Sequence, residues 1–450
     1  MPYQNPDGRL PSENASKLGH LKVIESEWVR SLINDFEASE NNVDLCNTIW
    51  KEFPEESEPF EDIWVIDGSH SIIEAGNYPK KQLAFIKTAL MKLDKTKIDL
   101  VDKKNPHPLQ MKDLMSQAAE IHSTVLPLNN IRTSKGTNYD AVRNIIFDSI
   151  RIDENGQYYE TLKWLAYEKW DPTSNKNSPG FKCPQCGNEK EIEGFPFNAD
   201  KMDCPYCNKE VLLTDMLSFH LNMLEDYASV DIVSSYMLIL ETLMLFTPIR
   251  LYWERQDPKL ESTLFIKDGP LGLSSQYTKI VPKIRNFLQY ASDNGKTVHI
   301  IGCEKSGKFF DHLMSIKQFA PPTNKDDKPH YSVLSHKYIV EEVQRRARSQ
   351  NQYGSRTNWG EKIYVKLEPN TCIVLNIPPG DYNISDDFPT DADMIGLDRI
   401  LATIPSLISR KFEGALYPIE LANSVASMSS YPSAKILERY VEEKVIQKHK

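Results

Sequence analysis

Two carboxylates stand at matching places in this sequence. In DIWVIDGSHS (62–71) an apolar run ends on Asp67 and Gly68, and in STLFIKDGPL (262–271) another ends on Asp268 and Gly269. Asp-Gly is a strong hairpin dipeptide, so one such element reads as a turn. Two of them suggest a divalent metal held between strand ends. Phosphodiester hydrolysis needs hard cations such as Mg²⁺ or Mn²⁺ to neutralise the phosphate and activate water, and these ions favour oxygen ligands. A glycine after each aspartate lets a phosphate or another backbone approach closely. Glu241 is the third candidate, inside the apolar window 232–249. A lone buried glutamate is costly unless something pairs with it, and a metal shared with the two aspartates would be such a partner. The plainer alternative puts Glu241 on the exposed side of an amphipathic helix.

Four of the seven cysteines are grouped. CPQCG and CPYCN place Cys183, Cys186, Cys204 and Cys207 as C-x2-C-x17-C-x2-C. Two knuckles of this spacing present four thiolates to a structural Zn²⁺, with Gly187 and Asn208 suited to the left-handed turn after each pair. Redox dithiols or two disulfides are the competing reading, and a cytoplasmic setting opposes disulfides. Cys46, Cys303 and Cys372 stand alone and read as core residues.

The elements that must position these groups read as a mixed α/β chain. A helical N-terminal arm occupies 1–58, with a helix over 20–39. Core segments follow at 59–171 and 213–450, separated by a zinc-ribbon insertion at 172–212. Strand pattern runs from Asp62 through SIIEAGN, so that Asp67 and Asp268 each end an apolar strand segment. KKQLAFIKTALMKLD (80–94) and NYDAVRNIIFDSIRI (138–152) read as helices, and a long helical region spans Thr214 to about Tyr252. TLFIKD, TVHIIG, KIYVKLE and TCIVLNI are strands, alternating with helices over 277–292 and 308–319, and helices close the chain. No internal repeat is present.

Bulk composition limits the partners. The 450 residues include 63 acidic and 53 basic side chains, a formal net charge of −10. Any nucleic-acid contact must therefore use a local basic groove. The segment 341–362 offers one: Arg345, Arg346, Arg348 and Arg356 interleave with Tyr353 and Trp359, a mixture suited to phosphate contact and base stacking. Its plainer reading is a solvated helix end running into a loop. The N-terminal text lacks a basic-then-apolar signal pattern. The window 232–249 carries Glu241 at its centre, at an insertion cost of about 2.5–3.5 kcal/mol by analogy with Asp, so a buried helix is expected rather than a membrane span. The expected location is the cytoplasm. GCEKSGKF (302–309) approaches the phosphate-loop pattern, but Phe309 replaces the hydroxyl that would hold magnesium. Lys305 or Lys308 remains suited to a nucleic-acid phosphate.

Taken in order, VIDGS, SSYMLILETLML, FIKDGPL, IIGCEKS and GALYPIELAN resemble the motifs of the NurA nucleases over about 60–430. The resemblance implies an α/β fold with a ribonuclease H-like, PIWI-related mixed-sheet core, carrying helical additions and the inserted four-cysteine zinc ribbon. It also implies a metal-dependent DNA nuclease that works as a homodimer with a HerA-like hexameric ATPase, in DNA repair or antiphage defence. Asp67 and Asp268 match the family's metal-binding aspartates, Glu241 its helical glutamate, and Lys305 its lysine after the third strand. Asn423 stands where the family commonly has histidine; an amide can ligate or bind phosphate but cannot act as a base. The catalytic set expected on this basis is Asp67, Glu241, Asp268, Lys305 and Asn423, with Mn²⁺ or Mg²⁺. The rival is a catalytically degenerate nucleic-acid-binding adapter, favoured by Asn423 and opposed by retention of all three carboxylates. A restriction-endonuclease-like core lacks a convincing strand-borne Glu-x-Lys.

Overall fold

The computed structural model describes residues 23–446 apart from 36–49, 55–56, 104–106, 108, 111–113, 115–118, 132, 135, 187–189, 225–226, 274, 322–327, 346–352, 384 and 429–432. The chain divides into two compact units, 1–43 and 44–450. In the described part of the first, the expected N-terminal helix spans Glu27–Asp35, with Trp28 and Ile33 exposed.

The second unit is built on one large mixed sheet. Its strands, with those of a small hairpin, are β1 (Lys51–Glu52), β2 (Asp62–Ala75), β3 (Lys81–Asp94), β4 (Ala119–Asn129), β5 (Lys201–Asp203), β6 (Glu210–Leu212), β7 (Met223–Leu224), β8 (Tyr227–Ala228), β9 (Thr263–Asp268), β10 (Ile300–Glu304), β11 (His330–Val333), β12 (Glu361–Glu368) and β13 (Thr371–Ile377). The sheet order is β1-β11-β12-β13-β10-β9-β2-β3-β4-β8-β7, while β5 and β6 pair separately. At its centre β2, β3 and β4 form an antiparallel meander, and β9 and β10 run parallel to β2 on its other side.

Two expectations fail here. The segment 80–94 is not a helix but β3, paired on both sides. Its Ala, Leu, Met and Lys residues favour a helix. The alternation that would mark a strand is blurred because Leu90 and Met91, neighbours on opposite faces, are both buried. The long helix starts at Val230 rather than Thr214: 3-10 turns at Leu213–Leu217 and Phe219–Asn222 precede it, followed by β7 and β8. Ser229 caps it, accepting a hydrogen bond from the Asp231 amide.

This helix, Val230–Glu254, is apolar on nearly every side because it is enclosed by protein. Among the described residues it is the one helix long and apolar enough to cross a membrane, and 83% of its most apolar window is buried. It packs against β2 and β3 over one face of the sheet, in a core with Trp164, Phe246 and Phe287. A second core covers the other face, where Ile63, Val65, Leu264 and Ile266 meet helices Leu397–Thr403 and Tyr417–Ala426. Cys303 and Cys372 are core residues, as expected; Cys46 lies outside the described residues.

Candidate functional site

Asp67 does not end its strand. β2 continues to Ala75 in partnership with β3, but its parallel pairing with β9 stops at Ile66–Lys267. Asp67 and Asp268 are the next residues on each side of that split. The two aspartates meet as the sequence pattern suggests, and β2 runs on through most of SIIEAGN; it is only the apolar segment that ends at Asp67. Side chains alternate across a sheet. Ile63, Val65 and Asp67 therefore share one face of β2, and Leu264, Ile266 and Asp268 share the corresponding face of β9. Gly68 and Lys267 turn to the opposite face, toward the long helix.

Glu241 descends from that helix. Gly68 makes its approach possible: a Cβ on Gly68 would lie 2.5 Å from Glu241 Oε1 and 2.8 Å from Met237 Cγ. Lys267 Nζ forms an ion pair with Glu241 Oε2 at 2.7 Å and donates to the Asp268 carbonyl at 2.8 Å. Lys267 is 0% exposed and Glu241 3%. The partner expected for Glu241 was a metal, and the structure supplies a lysine that the sequence reading did not single out. Burial holds the Glu241 carboxyl above its ordinary range, although Lys267 pulls it back.

Asp268 is paired with the other expected cation, Lys305, whose Nζ lies 2.7 Å from Asp268 Oδ2. Lys305 side-chain exposure is 37%, so this ammonium reaches solvent. Asp67 is 3% exposed; its Oδ1 accepts from the Gly68 amide, and its Oδ2 is buried without a hydrogen-bond partner. Burial, and then the charges of Asp268 and Glu241, push its carboxyl up to about 8. These groups line a cavity of about 210 Å³, together with Met237, Pro270 and Glu304. Glu304 is itself neutralised by Lys362, which also donates to Asn376 at 2.6 Å; Asn376 returns a bond to Glu304 at 2.7 Å. That buried network was likewise missed, because its members lie far apart in sequence.

The remaining expected residues sit elsewhere. Asn423 is half-buried on helix Tyr417–Ala426 and does not line this cavity. Lys308 Nζ donates to the Gln344 carbonyl at 3.4 Å. Arg346 and Arg348 lie outside the described residues, while Arg345 and Arg356 are exposed. Tyr353 packs edge-on to Phe309, with ring centroids 5.6 Å apart. Trp359 corrects the sequence reading: at 1% exposure it packs against Phe246 in the core and offers no face to a base. Its loop is clamped by Arg285, which donates to the carbonyls of Gly354, Ser355 and Asn358. The loop also pairs with the chain leaving Asp268, through Trp359 N to Leu271 O and Leu273 N to Thr357 O, both 2.9 Å.

The cysteines form a separate centre. Their four Sγ atoms lie within 4.8 Å of one another, and no other group of three or more His, Cys, Asp or Glu ligand atoms does so among the described residues. A zinc tetrahedron with Zn–S of about 2.3 Å fits that spacing. Amides of Gln185 and Tyr206 donate to Cys183 and Cys204 sulfur. Asn208 adopts the expected left-handed conformation, with φ of 56°; Gly187 is outside the described residues. The β5–β6 hairpin carries the second knuckle, and buried Phe181, Phe195 and Val211 join it to the main core.

The fold and sites thus define a mixed α/β protein with a carboxylate–lysine cavity at a sheet split and a four-cysteine cluster. Over nearly its whole length the chain is similar to solved NurA nuclease structures. The crystal structure of the NurA nuclease from Sulfolobus solfataricus aligns over 98% of each chain, with 10% identity and a TM-score of 0.35. A NurA structure with manganese covers 97% of this chain and 99% of that one, with 12% identity and a TM-score of 0.28. Another, bound to dAMP and manganese, covers 96% of both, with 11% identity and a TM-score of 0.27. No family model and no curated protein matches the chain.

Proposed function

We propose that the protein is a metal-dependent nuclease that hydrolyses phosphodiester bonds in DNA. The observation carrying this reading is the Asp67 carboxyl: buried beside Asp268, with Oδ2 unpartnered, and pushed up to about 8 by burial first and then by the charges of Asp268 and Glu241. A hard divalent ion suits such an oxygen pair better than a proton does. Asp67 and Asp268 are the residues that would hold Mg²⁺ or Mn²⁺. When bound, that ion supplies Lewis-acid polarisation of the phosphoryl group and a more acidic water. Lys305 is placed to neutralise a phosphate oxygen at the cavity mouth, and Arg356 lies on a loop anchored to the chain just beyond Asp268. The order β4-β3-β2-β9-β10, a meander with two parallel strands added beside its first member, supports a ribonuclease H-like core. Zinc at Cys183, Cys186, Cys204 and Cys207 has a structural role in this reading.

The resemblance in sequence extends the proposal to a homodimer acting with a HerA-like hexameric ATPase, in DNA repair or antiphage defence. The protein's own near phosphate loop ends in Phe309, so translocation energy must come from a partner. The adapter reading retains one supporting observation: Glu241 is already neutralised by Lys267, which leaves two carboxylates for an ion. One experiment separates the two. Purified protein is incubated with linear DNA, with and without Mn²⁺, beside Asp67→Asn and Asp268→Asn. Cleavage requiring Mn²⁺ and lowered at least about a hundredfold by either substitution, roughly 2.7 kcal/mol of barrier, is expected. Intact DNA throughout, with DNA still bound, would favour the adapter.

A further inference from the structure

Resting on the nuclease reading, we propose that the centre takes a single divalent cation, held by Asp67 and Asp268, because the Lys267 ammonium stands as a built-in second cation and keeps Glu241 out of the coordination shell. Three observations support this. Lys267 is wholly buried, and its ammonium is ion-paired with Glu241 Oε2 and donates to the Asp268 carbonyl. The other Glu241 oxygen, Oε1, occupies the space beside Gly68 that a side chain there would need, 2.5 Å from where its Cβ would lie. Asp67 and Asp268 lie on the opposite face of the strands from Lys267, by the alternation of β2 and β9. The two aspartates therefore turn toward one another while Glu241 and Lys267 form a closed pair.

Charge supports the same stoichiometry. With Asp67 ionised, as a bound cation would require, three carboxylates around the cavity face the ammoniums of Lys267 and Lys305, leaving one residual negative charge; Glu304 is compensated separately by Lys362. One divalent ion answers that residue of charge. A second would place excess positive charge among buried groups beside an immovable lysine, which a low-dielectric site opposes. Lys267 is thus a positioning residue that sets the number of ions the site accepts.

The test counts bound Mn²⁺ by electron paramagnetic resonance in zinc-loaded full-length protein, with DNA cleavage measured on the same samples. The wild type should bind one Mn²⁺ per chain, and Asp67→Asn should weaken it at least tenfold. Lys267→Met frees Glu241 as a ligand and should bind two, with Mn²⁺ raising its melting temperature more than that of the wild type. The paired variant Lys267→Met/Glu241→Gln, lacking both charges, should return to one. A merely structural lysine would not change the count. Two ions in the wild type, with cleavage intact, would overturn the inference and spare the nuclease reading; so would a count of one in folded Lys267→Met. If that variant does not fold even with Mn²⁺, the wild-type count decides. No bound Mn²⁺ and no cleavage would remove both readings together.

Discussion

The Lys267 ammonium lies 2.7 Å from Glu241 Oε2, joining the last-but-one residue of a central strand to the middle of the long buried helix. Both side chains have left water, so each requires the other. Breaking a buried ion pair from one side leaves an uncompensated charge and costs about 3–5 kcal/mol. Lys267→Met is expected to lose about that much in urea denaturation without added Mn²⁺ or Mg²⁺. The half-exposed pair partner Lys305 should cost about 1 kcal/mol or less when replaced by Met. Equal losses for the two substitutions would contradict the assignment of Lys267 as the internal cation.

Gly68 sets how closely the helix approaches the strand. A methyl group there meets Glu241 Oε1 and Met237, and both sit on a packed helix that cannot retreat cheaply. Gly68→Ala should destabilise the protein by about 1–3 kcal/mol, the usual range for overpacking. Met237→Ala added to it should recover part of the loss. Unchanged stability in the single variant would mean that helix and strand are less tightly apposed than described.

Asp67 gives the site a pH signature. Its carboxyl is pushed up to about 8, by burial first and then by Asp268 and Glu241. The folded chain thus keeps a proton that the unfolded chain releases above the ordinary carboxylate value of about 3.9. Its contribution to stability must fall as pH rises from about 4 to about 8 and then level off. Without added Mn²⁺ or Mg²⁺, Asp67→Asn should melt above the wild type at pH 8 and close to it at pH 5. A gap of the same size at both pH values would show Asp67 already ionised at the lower one.

Much of the site could be read from sequence because its residues punctuate apolar runs. Asp67, Glu241 and Asp268 stand out as charges where charge is costly, and paired C-x2-C motifs announce a tetrahedral thiolate site. KIYVKLE and TCIVLNI were equally legible: β-branched and aromatic residues alternate in the first and fill much of the second, and β12 and β13 cover those residues. Lys267 was not legible, since a lysine beside an aspartate near a strand end reads as solvent-facing until the helix covering it is known. The segment 80–94 hid its strand for a related reason: a central strand buried on both faces loses its period of two, leaving only helix-forming composition to read.

The cysteine cluster should hold one Zn²⁺ per chain, since its sulfurs already approach tetrahedral spacing. Phe181, Phe195 and Cys204 are buried in the main core, so loss of the ion should disturb more than the knuckles. Cys183→Ser/Cys204→Ser should lose zinc by elemental analysis and melt well below the wild type. Full zinc content in that variant, or an unchanged melting temperature, would count against a structural zinc site.

The loop at 353–359 separates stability from nucleic-acid binding within a few residues. Trp359 is a core side chain on Phe246, whereas Arg356 is exposed on the same Arg285-clamped loop. Trp359→Ala should cost about 3–5 kcal/mol through the cavity it leaves. Trp359→Phe, which keeps most of the packing, should leave DNA affinity unchanged. Arg356→Ala should alter stability by no more than about 0.5 kcal/mol. If Arg356 meets a phosphate, its removal should weaken binding to all sequences and reduce the salt slope by about 1. Fluorescence anisotropy with labelled DNA across a salt series measures both effects. A folded Trp359→Phe protein that binds DNA more weakly than Arg356→Ala would return the tryptophan to the binding surface and refute its placement in the core.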